Sequence, residues 1–232
     1  MNSVTEKNLK SIKEGIKQAA CKGGQKEEGI RIIAVTKNVT VAQVLTAIEA
    51  GITDIGENKA QEIIKKHTQL RDKKSISWHF VGHLQRNKVK MIIDFVDLIQ
   101  SVDSLKLVEE INKRAREIAK IQEILVQVNI AEEEAKFGLE KGEVERFLRQ
   151  IASLDNVKVK GLMNIAPLVE DTQKVKPVFS EMKMLYDDLR RKRIPGIELE
   201  YLSMGMTNDF EVAVESGANM VRIGTGIFAT AS

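Results

Sequence analysis

Short apolar runs alternate along the chain with longer stretches in which apolar residues recur every three or four positions. The short runs predict eight strands, at 31–36, 53–56, 78–82, 96–100, 123–130, 157–163, 198–203 and 219–223. Many of these runs are β-branched or apolar throughout, as in 123–130, which is typical of strands buried on both faces. The pattern therefore predicts a sheet that is covered by other elements.

The longer stretches between these runs predict helices. In 104–120, for example, Leu105, Val108 and Ile111 recur at helical spacing, and Ser104 is a candidate N-cap residue. The predicted helices cover 40–50, 58–71, 85–93, 104–120, 139–153, 171–193 and 207–217, and an extra helix over about 3–21 precedes the first strand.

Strands that alternate with helices indicate an α/β fold, either a closed (β/α)8 barrel or a doubly wound open sheet. The total of eight strands favours the barrel, although 232 residues is near the lower size limit of that fold. No GxGxxG motif follows the first strand, which weakens a dinucleotide-binding fold. No proline-rich linker or low-complexity segment divides the chain. The sequence therefore predicts one domain over 1–232, a TIM-like (β/α)8 barrel with an extra N-terminal helix.

Composition excludes several classes of function. The chain has 36 lysines and arginines against 33 aspartates and glutamates, and a net charge of +3 is too small to indicate a nucleic-acid partner. The N-terminus lacks the apolar stretch of a signal peptide, and no run of about 18 uncharged apolar residues is present. The single cysteine, Cys21, excludes an intrachain disulfide, and the three histidines lack the spacing of a zinc site. We expect a cytoplasmic protein without a metal or a membrane segment, and a solvated loop at Glu132-Glu133-Glu134.

A lysine stands at the carboxyl end of the first predicted strand. Because side chains alternate along a strand, Ile33, Val35 and Lys37 point to the same side, and an apolar row ends in an amine. An amine becomes a Schiff-base nucleophile when desolvation or neighbouring cations lower its pKa. A lysine at a strand end is more often a solvated rim residue, so the interpretation of Lys37 depends on what the remaining loops offer.

Two segments rich in glycine and hydroxyl groups follow the last two predicted strands, at 203–207 and 222–226. Backbone N–H groups and hydroxyls of this kind bind phosphate, and phosphate sites in barrels commonly lie in the loops after strands seven and eight. Arg222 alternates with Val221 and Ile223, so it points into the barrel mouth if those two meet the helices. An amine and a phosphate site together suit a phosphorylated carbonyl compound, and pyridoxal phosphate is the first candidate.

Two further polar residues follow strands and have ordinary structural explanations. Asn58 opens a predicted helix and suits an N-cap, and His83 ends the third strand and suits a hydrogen-bonded loop histidine.

The chain resembles the YggS/PROSC family of pyridoxal phosphate homeostasis proteins over about residues 10–229. The resemblance is carried by collinear motifs at 34–37, 56–58 with 61–62, 78–88, 161–163, 202–209 and 221–228. It implies a barrel like the amino-terminal domain of alanine racemase, which belongs to fold type III of the pyridoxal phosphate proteins.

The resemblance also implies which residues contact the cofactor. Pyridoxal 5'-phosphate is expected to be bound covalently, as a Schiff base with Lys37, and Arg222 is expected near the ring nitrogen. The phosphate is expected on Ser203, Gly205, Gly224 and Thr225. Asn58, His83 and Met163, which stand within the matching motifs, are implied as further cofactor contacts.

Two functions suit this site. The first is storage, buffering or delivery of pyridoxal phosphate, with apoenzymes that require it as recipients, and the second is amino-acid racemisation. Racemisation needs two acid/base groups on opposite faces of the substrate, and in alanine racemase a tyrosine from a separate domain of the partner subunit supplies one. The chain ends at Ser232, just after its eighth unit, and Tyr186 and Tyr201 are predicted within a helix and a strand. We therefore expect a binding protein without catalytic residues, as a monomer or weak dimer.

Overall fold

A closed barrel of parallel strands forms the centre of the computed structural model, which describes residues 3–73, 75–131, 137–167, 169 and 171–229. The strands are β1 (Arg31–Val35), β2 (Asp54–Glu57), β3 (Ser77–Phe80), β4 (Leu98–Val102), β5 (Gln122–Asn129), β6 (Leu139–Glu140), β7 (Val157–Asn164), β8 (Tyr201–Ser203) and β9 (Met220–Ile223). The sheet order is β4-β3-β2-β1-β9-β8-β7-β5-β6, and an additional pairing of β4 with β5 closes it. The predicted eight-stranded barrel is confirmed.

The strand that the sequence did not predict is the two-residue β6. It pairs with the carboxyl end of β5, where Leu139 lies opposite Val128. A helix was expected over 139–153, and it begins only at Val144 because 139–140 extend the sheet and a 3-10 turn over 141–143 follows.

The helices surround the barrel in the predicted order. They are α1 (Val4–Lys22), α2 (Val41–Glu49), α3 (Ala60–Leu70), α4 (Val89–Ile92), α5 (Leu105–Glu117), α6 (Val144–Ile151), α7 (Lys176–Lys192), α8 (Phe210–Glu215) and α9 (Thr225–Phe228). Of these, α9 was not predicted, and 85–93 forms a 3-10 turn followed by the single turn α4. Ser104 is the N-cap residue of α5, as predicted, but its side chain makes no capping hydrogen bond. Within the described residues, no helix is long and apolar enough to cross a membrane.

The extra helix α1 is stabilised by an N-terminal cap and packs on the barrel through buried apolar residues. Ser3 and Glu6 form a capping box at its start, and Leu9 and Ile16 are buried below it. Asn8 donates hydrogen bonds to two carbonyl groups at the end of α9, those of Ile227 and Ala229. The first helix therefore fastens the last element of the described chain.

Strand alternation divides the core into two parts. The larger part lies between the sheet and the helices and contains Val221 and Ile223. The smaller part lies inside the barrel and contains Ile33, Leu98, Leu125, Met163 and Met220. The predicted inward direction of Arg222 is confirmed, because its neighbours in the strand face the helices. The acidic run 132–134, expected as a solvated loop, lies outside the described residues.

Candidate functional site

A cavity of about 450 Å³ opens at the carboxyl ends of the barrel strands, where parallel barrels place their ligand sites. Register explains why distant residues meet there, since Ile33 of β1 pairs with Arg222 of β9 and Val35 pairs with Gly56 of β2. The cavity is lined by Val35, Lys37, Asn58, Val81, Gly82, Ile165, Pro167, Val169, Thr172, Met206, Thr207, Asn208, Asp209, Arg222, Gly224 and Thr225.

Five of the nine predicted contact residues line this cavity, and they come from three parts of the sequence. They are Lys37, Asn58, Arg222, Gly224 and Thr225. A larger groove of about 850 Å³ lies along α1, and its walls are mainly lysine and glutamate side chains. None of the predicted residues lines that groove, so the smaller cavity is the candidate site.

A buried ion pair holds the backbone on which Lys37 and Asn58 stand. Lys66 of α3 donates from Nζ to Glu57 Oε1 at 2.8 Å and to the Thr36 carbonyl at 2.6 Å. The other carboxylate oxygen of Glu57 accepts the Asn58 N–H at 3.1 Å. Both charged side chains are almost fully buried, with 4% and 0% exposure. The pair therefore fixes the residues next to two cavity-lining side chains.

Arg222 brings a buried cation to the cavity. Its guanidinium donates from Nη1 to Ser203 Oγ at 2.6 Å and from Nη2 to the Asn164 carbonyl at 2.7 Å. Burial lowers the pKa of Arg222 to about 10, and the Asp209 carboxylate opposes that shift, so the group stays charged at neutral pH. For the acid Asp209, burial has the opposite effect and raises the pKa, although the hydrogen bond from the Met206 N–H and the charge of Arg222 act to lower it.

Hydroxyl groups and a helix start lie together on another wall. Thr225 Oγ1 lies 3.2 Å from Thr207 Oγ1, which also accepts the Gly226 N–H at 3.2 Å. Gly224 is the N-cap of α9, and the first N–H groups of a helix have no partner within the helix. A Cβ atom on Gly224 would lie 3.3 Å from the Val35 carbonyl, so the loop approaches the end of β1 closely.

Two of the remaining predicted residues lie beside or beneath the cavity. His83 lines a separate space of about 210 Å³ that it shares with Asn58. Its ring stacks on Phe137 with 3.8 Å between centroids. Met163 is fully buried inside the barrel. Their assignment as cofactor contacts stays a prediction.

The side chain of Ser203 and the backbone of Gly205 are already engaged in the fold. The Ser203 hydroxyl lies between Arg222 and Gln100 Oε1, at 2.6 and 2.7 Å. Gly205 has a φ of +92°, and an added Cβ would lie 2.6 Å from the Ala213 Cβ. This glycine is therefore required by the turn and by close packing on α8. A phosphate contact by either residue also stays a prediction.

Sequence reasoning did not include other residues that line the cavity. Thr207 ends the segment 203–207 that was predicted to bind phosphate but was not named as a contact, and Asn208 and Asp209 follow it directly, so this polar run could have identified all three. The apolar wall formed by Ile165 and Val169 had no such signal, because apolar residues after a strand are equally expected in a core.

Neither tyrosine reaches the cavity. The Tyr186 hydroxyl donates to the Leu199 carbonyl at 2.9 Å, and burial raises its pKa to about 12. The Tyr201 hydroxyl accepts from Arg31 Nη1 at 3.0 Å at the opposite end of β8. In the part of the chain that the structure describes, no group of three or more histidine, cysteine, aspartate or glutamate residues is arranged to hold a metal ion.

Comparison with known proteins identifies relatives over nearly the whole length. Residues 8–232 match the family model described as alanine racemase, N-terminal domain. A pyridoxal phosphate homeostasis protein from Aquifex aeolicus is 39% identical over 220 residues, which cover 95% of each chain.

Two solved structures have the same architecture. PipY of Synechococcus elongatus PCC7942, determined with PLP bound, is 31% identical with a TM-score of 0.85, and the match covers 97% of this chain and 100% of PipY. An unknown protein from Bifidobacterium adolescentis is 32% identical with a TM-score of 0.92, over 97% of this chain and 94% of the other.

Proposed function

Because the chain belongs to the alanine racemase N-terminal domain family, and within it to the pyridoxal phosphate homeostasis proteins, we propose that it binds pyridoxal 5'-phosphate and serves the homeostasis of this cofactor. One observation carries the proposal. A single cavity at the carboxyl end of the barrel combines an amine, a buried guanidinium, a hydroxyl-lined helix start and apolar walls. This donor set fits a flat, phosphorylated aldehyde.

Each part of the cavity has a separate task. Bound pyridoxal phosphate supplies an aldehyde that condenses with a primary amine and releases water, and Lys37 is the amine that lines the cavity. Arg222 would face the ring nitrogen, where a cation would oppose protonation and weaken the ring as an electron sink. Thr207, Gly224 and Thr225 would hold the phosphate through hydroxyl and N–H groups.

The same cavity favours storage or delivery over racemisation. Racemisation requires an acid/base group on each face of the substrate. Lys37 supplies one, whereas both tyrosines are hydrogen-bonded elsewhere and neither lines the cavity. Apoenzymes that require the cofactor are the recipients under this proposal. The further parts of the proposal are a cytoplasmic location, which the single cysteine suits, and a monomeric or weakly dimeric state.

The first prediction locates the covalent bond. Borohydride reduction of the protein loaded with pyridoxal phosphate should fix the cofactor to Lys37, because this amine lines the cavity. Peptide mass mapping checks the position. Lys37→Ala should lose the adduct and the yellow absorbance, whereas Lys59→Ala, which changes an amine of the neighbouring space, should keep both. An adduct on Lys59 or Lys88 of the wild type would contradict the assignment.

A further inference from the structure

A chain of hydrogen bonds crosses the barrel interior from the cavity to the opposite end. Arg222 Nη1 lies 2.6 Å from Ser203 Oγ, which lies 2.7 Å from Gln100 Oε1. Gln100 Nε2 lies 3.1 Å from His79 Nδ1, and His79 Nε2 lies 3.0 Å from Asp54 Oδ1. All five side chains are buried, on β9, β8, β4, β3 and β2. Five separate strands therefore contribute one side chain each to a single connected path.

Chemistry fixes the direction of every bond in this path. A guanidinium only donates, so Ser203 Oγ must accept from Arg222 and must give its own proton to Gln100 Oε1. The Gln100 amide then donates from Nε2 to His79 Nδ1, which carries no proton. His79 is therefore the Nε2–H tautomer, and this N–H donates to Asp54. The reversed Gln100 amide would leave the Ser203 proton without an acceptor.

The path ends on a carboxylate that is firmly charged. Burial alone would raise the pKa of Asp54, but hydrogen bonds from His79 and Thr53 and the charge of Arg31 lower it. Thr53 Oγ1 donates to Asp54 Oδ2 at 2.8 Å, and Arg31 forms an ion pair with Oδ1. Because the Asp54 carboxylate can only accept, every hydrogen bond of the path is donated in the direction from Arg222 towards Asp54, away from the cavity.

The consequence for Arg222 is a fixed orientation. Two of its donors are held by Ser203 Oγ and the Asn164 carbonyl, and the guanidinium also lines the cavity. An arginine side chain loses rotamer entropy when it is immobilised, and this entropy is lost before a ligand arrives if the side chain is already held. Without Gln100, the Ser203 hydroxyl would turn to another acceptor and its lone pairs would turn away from Arg222.

We propose that Ser203 and Gln100 are positioning residues that hold the Arg222 guanidinium against the ring nitrogen of bound pyridoxal phosphate, with His79 and Asp54 fixing their hydrogen-bond direction. This inference rests on the proposed cofactor function, and it assigns Ser203 a task in ring recognition rather than in phosphate binding.

The test compares two buried glutamines. Gln100→Leu breaks the path, whereas Gln122→Leu removes a glutamine that is equally buried but bonds to the Asp97 carbonyl at 2.8 Å, outside the path. Pyridoxal phosphate affinity and the pH midpoint of its bound absorbance are measured for both variants and the wild type. Gln100→Leu should bind about tenfold more weakly, the loss of one well-placed hydrogen bond, and should shift the midpoint. Gln122→Leu should keep the wild-type affinity and midpoint.

A cofactor-free measurement tests the direction of the path. The ¹⁵N NMR shifts of the three histidines in the apo-protein should identify His79 as the Nε2–H tautomer, and an Nδ1–H tautomer would overturn the inference. Equal affinity and midpoint in Gln100→Leu and the wild type would overturn it as well, as would equal losses in the two glutamine variants. If Gln100→Leu does not fold, Ser203→Ala is measured with the same midpoint criterion. Failure of the wild type itself to bind pyridoxal phosphate would instead refute the proposed function.

Discussion

Ser203 and Thr225 show how a single residue's direction decides its task. Both carry a hydroxyl near the end of a late strand, and both were expected on the phosphate. Ser203 lies within β8 and points inward, where Arg222 and Gln100 take its hydroxyl. Thr225 lies beyond β9 and is exposed in the cavity beside Thr207. We therefore expect the hydroxyl beyond the strand, and not Ser203, to donate to the phosphate.

The prediction at this scale concerns Thr225. Thr225→Val keeps the shape of the side chain but removes the hydroxyl, so pyridoxal phosphate should bind about tenfold or more weakly, since a hydrogen bond to a charged group contributes roughly 1.5–3 kcal/mol. Absorbance titration with pyridoxal phosphate and with pyridoxal separates the phosphate contribution. Pyridoxal, which lacks the phosphate, should bind weakly and equally to the variant and the wild type.

Thr68→Val is the matched control for Thr225. Thr68 is exposed on α3, bonds to the Ile64 carbonyl and does not line the cavity. Its replacement should leave both affinities unchanged. If Thr225→Val weakens pyridoxal as much as pyridoxal phosphate, the hydroxyl is not a phosphate ligand.

At the scale of elements, the pair Lys66–Glu57 connects α3 with the ends of β1 and β2. A buried ion pair gives little net stability, yet removal of one partner leaves an uncompensated charge that costs about 3–5 kcal/mol. Here Lys66 also donates to the carbonyl of Thr36, next to Lys37, and Glu57 also accepts the backbone N–H of Asn58. We therefore expect the pair to matter more for the geometry of the cavity than for the stability of the fold.

If this is correct, substitutions of the pair should change the free energy of unfolding and the rate of cofactor attachment independently. Lys66→Met alone should lower the free energy of unfolding by about 3–5 kcal/mol, because Glu57 is left buried without its cation. The double variant Glu57→Gln with Lys66→Met should recover much of that loss. It should still attach pyridoxal phosphate to Lys37 more slowly, because the Thr36 carbonyl next to Lys37 has lost its hydrogen bond from Lys66 and keeps that from the Val39 N–H. Denaturant unfolding and the rate of absorbance change measure the two effects.

Lys22→Met provides the control on the surface. Lys22 is 69% exposed and pairs with Glu215, and exposed pairs contribute about 1 kcal/mol or less. Its loss should therefore leave both the stability and the attachment rate near the wild type. A double variant that attaches the cofactor at the wild-type rate would show that the pair has no task in the cavity.

At the scale of the whole molecule, the sequence predicts the barrel well because the signals are local and periodic. Strand alternation alone places Arg222 inward and Val221 outward, and register then brings β1 and β9 together. The positions at which strands begin and end are predicted less accurately from the sequence. A strand was predicted over 198–203, whereas β8 is only Tyr201–Ser203, although the N–H groups of Glu198 and Glu200 still bond to β7.

Contacts between distant residues were not predictable in the same way. Ser203 and Gln100 are 103 positions apart, and no local pattern links them. Conversely, His83 was predicted as a contact because it stands within a motif of the site, but it does not line the cavity. It faces a neighbouring space and stacks on Phe137. A position in the chain identifies a strand end, whereas the direction of a side chain beyond that end depends on loops that pack over it.

The whole molecule also decides what the loaded protein does with its cofactor. Lys37 can serve one face of a bound amino acid, but no tyrosine lines the cavity in the described chain. General acid–base catalysis by one group accelerates a reaction about 10²–10⁴-fold, so the rate of racemisation without the second group should be very low. The proposed position of Arg222 at the ring nitrogen would further weaken carbanion stabilisation. We therefore predict that the loaded protein converts negligible L-alanine to D-alanine. When it is added to a cofactor-free aminotransferase, it should restore the activity of that aminotransferase.

The control is Lys37→Ala, taken through the same loading and washing steps. This variant should restore far less activity to the aminotransferase. Rapid racemisation that depends on both Lys37 and His83 would instead make the protein an enzyme, because a second acid/base group would then have to enter from the neighbouring space.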